Sequence, residues 1–407
     1  MAKNQIIAAL DIGSSRIKLM LASKKEEEVK FEVIFRSEEP ALGVRRGVVI
    51  DVDKVSRLIQ ILIDRARVEA GHKISSIFVN IGGSHIASAM SRGMIAVSRA
   101  DRNISKEDVS RVMDEASKAV PLPSNNEILD IFPKEFIIDG VGGIKSAEDL
   151  QGSRLETEVL ILSTFLPYKN NLVQAILNAD LQIMDITPSA IAASSAVLSE
   201  RQKELGSAIL DIGAGTSELA VFQEGELIHL AVLPIGSANI TSDIAVGLKT
   251  DIDTAEAIKL KLGTCFFKGK DKKEKIEIKD EDPLIFSQKT LAKIIEARVS
   301  EIFSEVHKEL KNVLKQNIIL PAGLILIGGG AKLPKIAELA KKELKLPCRL
   351  GKNNYFIGLE DELDYAVPCG LIFRAVEEEG FNAWQGRTKI SGSLLEKTKK
   401  ILKNFLP

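Results

Sequence analysis

Ile209-Leu210-Asp211-Ile212-Gly213-Ala214-Gly215-Thr216 is the second appearance of a pattern already set out at Ala9-Leu10-Asp11-Ile12-Gly13-Ser14-Ser15, about half a chain earlier. Each stretch follows a short apolar run and leads into an alternating one, as the turn of a β-hairpin does. The first continues through Ile17, Leu19 and Leu21. The second continues through Leu219 and Val221 to another hairpin turn at Glu224-Gly225. Glycines and small hydroxyl residues at such a turn let backbone N–H groups approach an anion closely. An Asp beside the turn repels bare phosphate, so the pattern makes best chemical sense with Mg²⁺ standing between the two. One Asp-Ile-Gly alone is as readily a plain tight turn. Two copies in matching contexts predict two facing clamps on the phosphates of a nucleotide.

A third element completes the set. Leu324-Ile325-Leu326-Ile327 reads as a buried strand, followed by Gly328-Gly329-Gly330-Ala331 and a helical pattern from Pro334 to Leu344. A strand, a glycine corner and a helix N-terminus present a flat backbone surface to a base, ribose or α-phosphate. Two hairpin turns followed by a late glycine corner resemble the superfamily of ATP-binding folds shared by actin, the sugar kinases and the DnaK-type chaperones. The fold class expected is therefore α/β, an actin-like two-lobed ATPase fold.

Bulk composition narrows the class. The 407 residues allow two or three domains with real cores, and 45% hydrophobic content is ordinary for a globular protein. A net charge of −1 gives the body no reason to bind nucleic acid. Cys265, Cys348 and Cys369 are scattered without zinc or disulfide spacing, which fits a reducing cytoplasm. Met1 to Gln5 enters the first strand directly, without a signal-peptide pattern. No apolar run approaches the ~20 residues needed to span a bilayer, so membrane contact is expected only at a surface.

The chain divides as follows. Residues 1–83 and 163–190 form the first lobe, with a helix from Asp53 to Ala70 and a strand at Ile77–Ile81 ending in Gly82-Gly83. Residues 84–162 are an inserted α+β subdomain with its own pattern, including a helix capped by Ser105. Residues 191–376 form the second lobe, whose small subdomain occupies about 240–315. In it, Asp253-Thr254 are expected to cap a helix over Ala255–Leu262 that stops at Gly263. Lys268–Asp282 reads as a solvated charged hairpin, and a long helix is expected over Ser287–Lys315. Ser189–Leu198 and the stretch around Cys369-Gly370-Leu371 are small-residue helices expected to cross between the lobes. Residues 377–390 read as a polar linker carrying Trp384.

The tail, residues 391–407, has a distinct character. Leu394, Leu395, Ile401, Leu402, Phe405 and Leu406 fall on one helical face. The polar side carries Lys397, Lys399, Lys400 and Lys403 against Glu396, four minus one giving +3. Ser393 with Glu396 fits a capping box. A basic amphipathic helix on a linker suits an anionic lipid interface; docking on the protein's own body or on a partner is the alternative.

Together these residues resemble the FtsA family of bacterial cell-division proteins, over essentially the whole chain. The resemblance is carried by the insertion after Gly82-Gly83, by Ile131-Phe132-Pro133-Lys134-Glu135-Phe136-Ile137-Ile138-Asp139, by Gly140–Leu155, by Asn239–Ala245 followed by Asp253–Gly263, and by the amphipathic tail. It implies ATP with Mg²⁺ in an interlobe cleft. Asp11, Gly13, Ser14, Ser15 and Lys18 would line the first phosphate turn, and Gly213, Gly215 and Thr216 the second, with Gly236 and Ser237 beside it. Asp11 and Asp211 would hold the metal through water. Glu256 and Lys259 would reach the ribose and base, unless they are an ordinary surface pair. Gly328, Gly329 and Gly330 would back the adenosine. The small subdomain would bind the C-terminal peptide of the tubulin-like protein FtsZ, with Arg298 and Glu301 at the matching positions, although a solvated helix face fits them equally. The insertion would contact the next subunit or other division proteins. The tail would anchor filaments to the anionic inner face of the membrane at the division site.

Hydrolysis is expected to be slow or absent. Strong ATPases of the superfamily place a carboxylate or Gln at the start of the lobe-crossing helix to orient water, and here Thr187 stands there, with Asp185 as a substitute. Nucleotide is expected to act mainly as a switch that closes the lobes. Two other readings remain open at this level: a small-metabolite kinase of the same superfamily, lacking a use for the tail, and a pilus-assembly actin-like scaffold.

Overall fold

The computed structural model describes residues 5–385, except 25–29, 99, 268, 271, 277–283 and 316–317. The first lobe opens with an antiparallel meander, β1 (Gln5–Ile12), β2 (Arg16–Lys24) and β3 (Glu32–Pro40), then a small ribbon of β4 (Val44–Arg45) and β5 (Val48–Val49). Helix α1 (Val52–Glu69) starts where the Asp51 carboxylate accepts the Lys54 N–H, and it buries Val55, Leu58, Ile59, Leu62 and Ile63 on one face. Strand β6 (Ser76–Ile81) then runs parallel to β1.

The insertion follows. It consists of β7 (Ala87–Ala96), α2 (Lys106–Lys118), β8 (Asn126–Ile138), β9 (Val141–Ile144) and β10 (Arg154–Phe165), in the sheet order β7-β10-β8-β9. Ser105 caps α2 in a reciprocal box with Asp108. Val112, Phe136, Ile138 and Leu155 belong to a core of its own. Its β7 also reaches the second lobe, where the Ser88 hydroxyl donates to the Leu230 carbonyl at 2.7 Å.

The chain returns through α3 (Leu166–Leu177) and β11 (Gln182–Pro188) to α4 (Ser189–Val197) and α5 (Glu200–Leu205). The first sheet is thus β11-β6-β1-β2-β3. The second lobe repeats the design: a meander of β12 (Ser207–Ile212), β13 (Ser217–Gln223) and β14 (Glu226–Leu233), then α6 (Ser237–Leu248) and α7 (Ile252–Leu262). A ribbon of β15 (Lys273–Ile276) and β16 (Leu284–Ser287) leads into α8 (Gln288–Leu314). Parallel β17 (Leu324–Ile327), α9 (Ile336–Leu344) and β18 (Cys348–Leu350) complete the sheet β14-β13-β12-β17-β18.

Helix α4 is buried at all nine positions, and α10 (Ala366–Gln385) packs across it. Gly370 makes that crossing possible, because a Cβ there would run into the Ala192 carbonyl.

Four sequence expectations need correction. Asp251, two residues before Asp253, caps α7 by accepting the Thr254 N–H at 2.9 Å. Gly263 ends that helix at φ −64°, so it is not a left-handed stop. The glycine corner itself winds into a 3₁₀ turn over Gly329–Lys332, and α9 begins at Ile336 rather than at Pro334. Finally, α10 runs on to Gln385, through residues 377–385 of the stretch expected to be linker. The remaining linker residues and all of 391–407 lie outside the described residues.

Candidate functional site

The two quoted turns close with the same bond. Gly13 N–H donates to the Arg16 carbonyl at 3.0 Å, and Gly213 N–H to the Thr216 carbonyl at 2.9 Å. In each, a Cβ on the glycine would sit 3.0 Å from that carbonyl. The turns also abut across the lobes, for a Cβ on Gly215 would lie 2.8 Å from Ser14 Oγ and 3.0 Å from Arg46 Cα. Ser14 Oγ in turn accepts Gly47 N–H at 2.7 Å. The second turn rests on the start of α6. Ser237 N–H donates to the Gly213 carbonyl (2.8 Å) and Ala238 N–H to the Ala214 carbonyl (2.9 Å). Gly236 is required at that contact, because a Cβ would come within 2.5 Å of the Ala214 carbonyl.

Strand register decides what stands beside each turn. In β1–β2 Asp11 pairs with Lys18, and in β12–β13 Asp211 pairs with Glu218. The partners are seven residues apart in each pair, so the lobes place a base and an acid at equivalent positions. Asn80 on β6 braces the first: its amide donates to Asp11 Oδ1 (2.8 Å) and Ser189 Oγ (3.0 Å), while its own Oδ1 accepts Ile12 N–H (2.7 Å). Glu218 accepts Ala190 N–H at 2.9 Å.

Burial dominates the protonation of this cluster. It pushes Asp11 up to about 6, against the pull of Lys18 and the Asn80 hydrogen bond. It pushes Asp211 up to about 7, reinforced by the neighbouring charge of Asp11. Glu218 rises to about 8 through burial and the nearby Asp211, although the Ala190 N–H opposes the shift. Three acids that resist ionisation together form a site that gains from a cation.

Lys18 does not face a phosphate turn alone. Its ammonium donates to the Asp364 carbonyl, lies 3.8 Å from Asp364 Oδ2 and sits 4.8 Å over the Tyr365 ring. Lys332 pairs with the same carboxylate at 2.5 Å. Burial raises Asp364, but Lys18 and Lys332 outweigh it and hold the acid below its usual range.

The glycine corner lies against the second turn. Gly328 has φ +85°; a Cβ there would strike Asp211 Oδ1 and lie 2.7 Å from the Ile212 carbonyl. At Gly330 it would strike the Ile212 side chain, but Gly329 has no atom within 4 Å of that position. The corner is thus packed on both flanks and open at its middle. Nearby, Lys259 is buried and donates to Thr241 Oγ1 (2.8 Å) and the Ser237 carbonyl (3.3 Å), while Glu256 pairs with Lys259 at 2.7 Å and accepts the Thr241 hydroxyl. These two are tied into α6, so they are not a loose surface pair.

The structure therefore gathers Asp11, Gly13, Ser14, Asp211, Gly213, Gly215 and Gly328 at one interlobe junction. Thr187 is not available to orient water: it is buried and donates to Asp185 Oδ2 at 2.6 Å. Sequence reading missed Asn80, Glu218, Asp364 and Lys332. Glu218 had a signal, an acid immediately before the apolar run Leu219–Phe222 and seven residues after Asp211; the others had none. Arg298 is held by Asp243 on α6 (Nε–Oδ2 2.5 Å, Nη2–Oδ1 2.8 Å) and by Glu301 (2.6 Å). Leu394, Leu395, Lys397, Ile401, Leu402, Lys403, Phe405 and Leu406 lie outside the described residues. Among the described residues no helix is long and apolar enough to cross a membrane.

The residues fit MgATP on their own geometry: paired turns with close backbone approach, a glycine corner open at Gly329, and buried acids short of a cation. Among the described residues no three His, Cys, Asp or Glu side chains are arranged to hold a metal. A magnesium ion here would keep water and phosphate oxygens in its shell, as Mg²⁺ prefers.

Two matching lobes, each a meander extended by parallel strands and meeting at two glycine turns, define an actin-like fold. Solved structures agree. A type IV pilus biogenesis PilM–PilN complex matches over 92% of this chain and 99% of its own (TM-score 0.66, 18% identity), and Spiroplasma citri MreB5 bound to AMPPNP over 94% and 99% (0.55, 14%). These share the fold. A family model described as cell division protein FtsA matches residues 208–370, and one described as the SHS2 domain inserted in FtsA matches 83–163. Cell division protein FtsA of Bacillus subtilis is 34% identical over 91% of this chain and 84% of its own length; that of Pseudomonas aeruginosa is 32% identical over 92% and 90%. The chain belongs to the FtsA family of cell division proteins.

Proposed function

We propose that this protein is an ATP-binding scaffold of the bacterial division machinery, which polymerises on the cytoplasmic face of the membrane and tethers the FtsZ ring there. The observation that carries the nucleotide part is the abutment of two identically closed turns at Ser14 and Gly215. The backbone N–H groups around Gly13, Ser14, Ser15, Gly213, Gly215 and Thr216 would hold phosphates. Asp11 and Asp211 would hold Mg²⁺ through water. Gly328 to Gly330 would back the adenosine, with Glu256 and Lys259 toward its ribose and base. Mg²⁺ bound with ATP would supply positive charge beside the buried acids, and the nucleotide would draw both lobes onto one ligand. The Thr187 hydroxyl is committed to Asp185, which supports a switch with slow turnover.

Family membership supports the rest. The small subdomain of α6, α7 and α8 would take the C-terminal peptide of FtsZ, with Arg298 and Glu301 at its edge. The insertion would meet the next subunit or other division proteins. The tail would supply weak lipid binding, roughly 1 kcal/mol per Lys near an anionic surface, multiplied by avidity along a filament.

Titration of a fluorescent ATP analogue with and without Mg²⁺ tests the nucleotide reading. Saturable, Mg²⁺-dependent binding that Asp211→Asn weakens is the expected result; binding indifferent to both overturns it.

A further inference from the structure

The first turn of α4 is where the two lobes' networks meet. Pro188 and Ser189 open the helix without a side-chain cap of its own, so its leading N–H groups need outside acceptors. Two successive residues meet different systems, Ser189 through its side-chain oxygen and Ala190 through its N–H. Ser189 Oγ accepts from Asn80, which also holds Asp11 and Ile12 of the first turn. Ala190 N–H donates to Glu218, the strand partner of Asp211 beside the second turn.

Glu218 is 4% exposed, and its backbone belongs to the second-lobe meander, while α4 continues directly from first-lobe strand β11. Directly opposed residues of an antiparallel pair carry their side chains on the same face, with Cβ atoms about 5 Å apart. A shift of Asp211 is therefore felt at Glu218, and from there at the helix start. The equivalent position in the first lobe is Lys18, which pairs with Asp11 but reaches away to the Asp364 carbonyl. The first lobe reaches α4 by another route, through Asn80, which bridges Asp11 to Ser189 Oγ.

We propose that Glu218 is a positioning residue, which couples occupancy of the second phosphate turn to the N-terminus of the lobe-crossing helix through the Ala190 N–H. The proposal rests on the nucleotide reading above for what occupies the turn, but the tie itself does not. Glu218 needs no contact with nucleotide. It converts the local setting of Asp211 into the position of α4, which α10 packs across.

Hydrogen exchange of the Ala190 amide, followed by mass spectrometry on the full chain, tests it. Glu218→Ala removes the acceptor. Glu218→Asp keeps a carboxylate beside Asp211 but withdraws it by one methylene, and Glu218→Gln keeps an acceptor oxygen in place. Without nucleotide, the Ala and Asp variants should exchange at Ala190 about tenfold to a hundredfold faster than the parent, as expected for losing a hydrogen bond to a charged or strongly polar acceptor. The Gln variant should stay close to the parent. MgATP should slow this amide in the parent and the Gln variant, and leave it fast in the other two. Parent-like exchange in Glu218→Asp or Glu218→Ala overturns the proposal, as does equal MgATP protection in all variants. If MgATP protects neither glycine turn in the parent, the nucleotide reading fails, while the nucleotide-free comparison still decides the tie. Should Glu218→Ala fail to fold, the Asp and Gln variants carry the comparison.

Discussion

Gly328→Ala adds one methyl group where the geometry leaves no room for it. The residue has φ +85°, and left-handed backbone costs an L-residue roughly 1–2 kcal/mol. The new Cβ would meet Asp211 Oδ1, a carboxylate oxygen that can swing aside, and the Ile212 carbonyl at 2.7 Å, a backbone atom at the end of the central strand β12 that cannot. Forcing an extra methyl into such a site costs about 1–3 kcal/mol more. The expected loss is therefore about 2–5 kcal/mol, large against the total stability of a typical domain. Moving Asp211 would also weaken MgATP binding beyond what stability explains. Gly329→Ala is the matched control, because its Cβ has no neighbour within 4 Å and its φ is ordinary. It should leave stability within about 0.5 kcal/mol while reducing nucleotide affinity by filling the open middle of the corner. Urea unfolding of both full-length variants, followed by far-UV circular dichroism, decides the matter. A Gly328→Ala midpoint equal to that of Gly329→Ala would refute the packing argument.

Other consequences are as direct. Burial makes Asp11, Asp211 and Glu218 weaker acids in the folded state, so unfolding releases protons between the unfolded and folded values. Their burial costs nothing below about pH 4, costs progressively more as pH rises from there, and levels off as pH passes about 6, 7 and 8 in turn. The urea midpoint of the nucleotide-free protein should fall over that window, and Asp211→Asn should flatten the decline. Asp108 behaves oppositely. Burial would raise it, but donors from Ser105 and Ser98 prevail and hold it to about 2, so its stabilisation is present above about pH 4 and is lost as pH falls through 2. Asp108→Ala should destabilise the insertion by about 1–3 kcal/mol through the lost cap and its hydrogen bonds, read as earlier exchange of β8 and β10 amides. Arg298→Ala and Asp243→Asn both break the link between α6 and α8. If Arg298 also contacts the FtsZ peptide, only the Arg298 variant abolishes peptide binding in a fluorescence-anisotropy titration; equal losses would assign Arg298 a purely internal role.

Much of this architecture was legible because it repeats. Two Asp-Ile-Gly turns in matching strand contexts exposed both meanders, although β2 and β13 are buried along nearly their whole length rather than at alternate residues. What failed was local and competitive. Asp251 and Asp253 are both plausible caps by residue type, and only the helix phase selects Asp251. The polar run after Glu377 reads as linker by composition, yet α10 carries its helix through to Gln385. The site divided along the same line. Glycines and acids on the turns were visible because short-range geometry demands them. Asn80 and Asp364 were not, since they reach the site from β6 and from the segment before α10, and no local spacing signals a contact made across 69 or 346 residues. Glu218 was visible in principle, because symmetry with Lys18 singles out the seventh residue after each Asp.

The central claim, that nucleotide-dependent assembly and membrane attachment act together, is tested most directly by co-sedimentation with anionic vesicles. The full chain and a chain ending at Lys389 would each be spun with and without MgATP. The account predicts that the full chain pellets with the vesicles, more strongly with MgATP, and that the shortened chain stays in the supernatant under both conditions. Pelleting of both chains, or of neither, would contradict it.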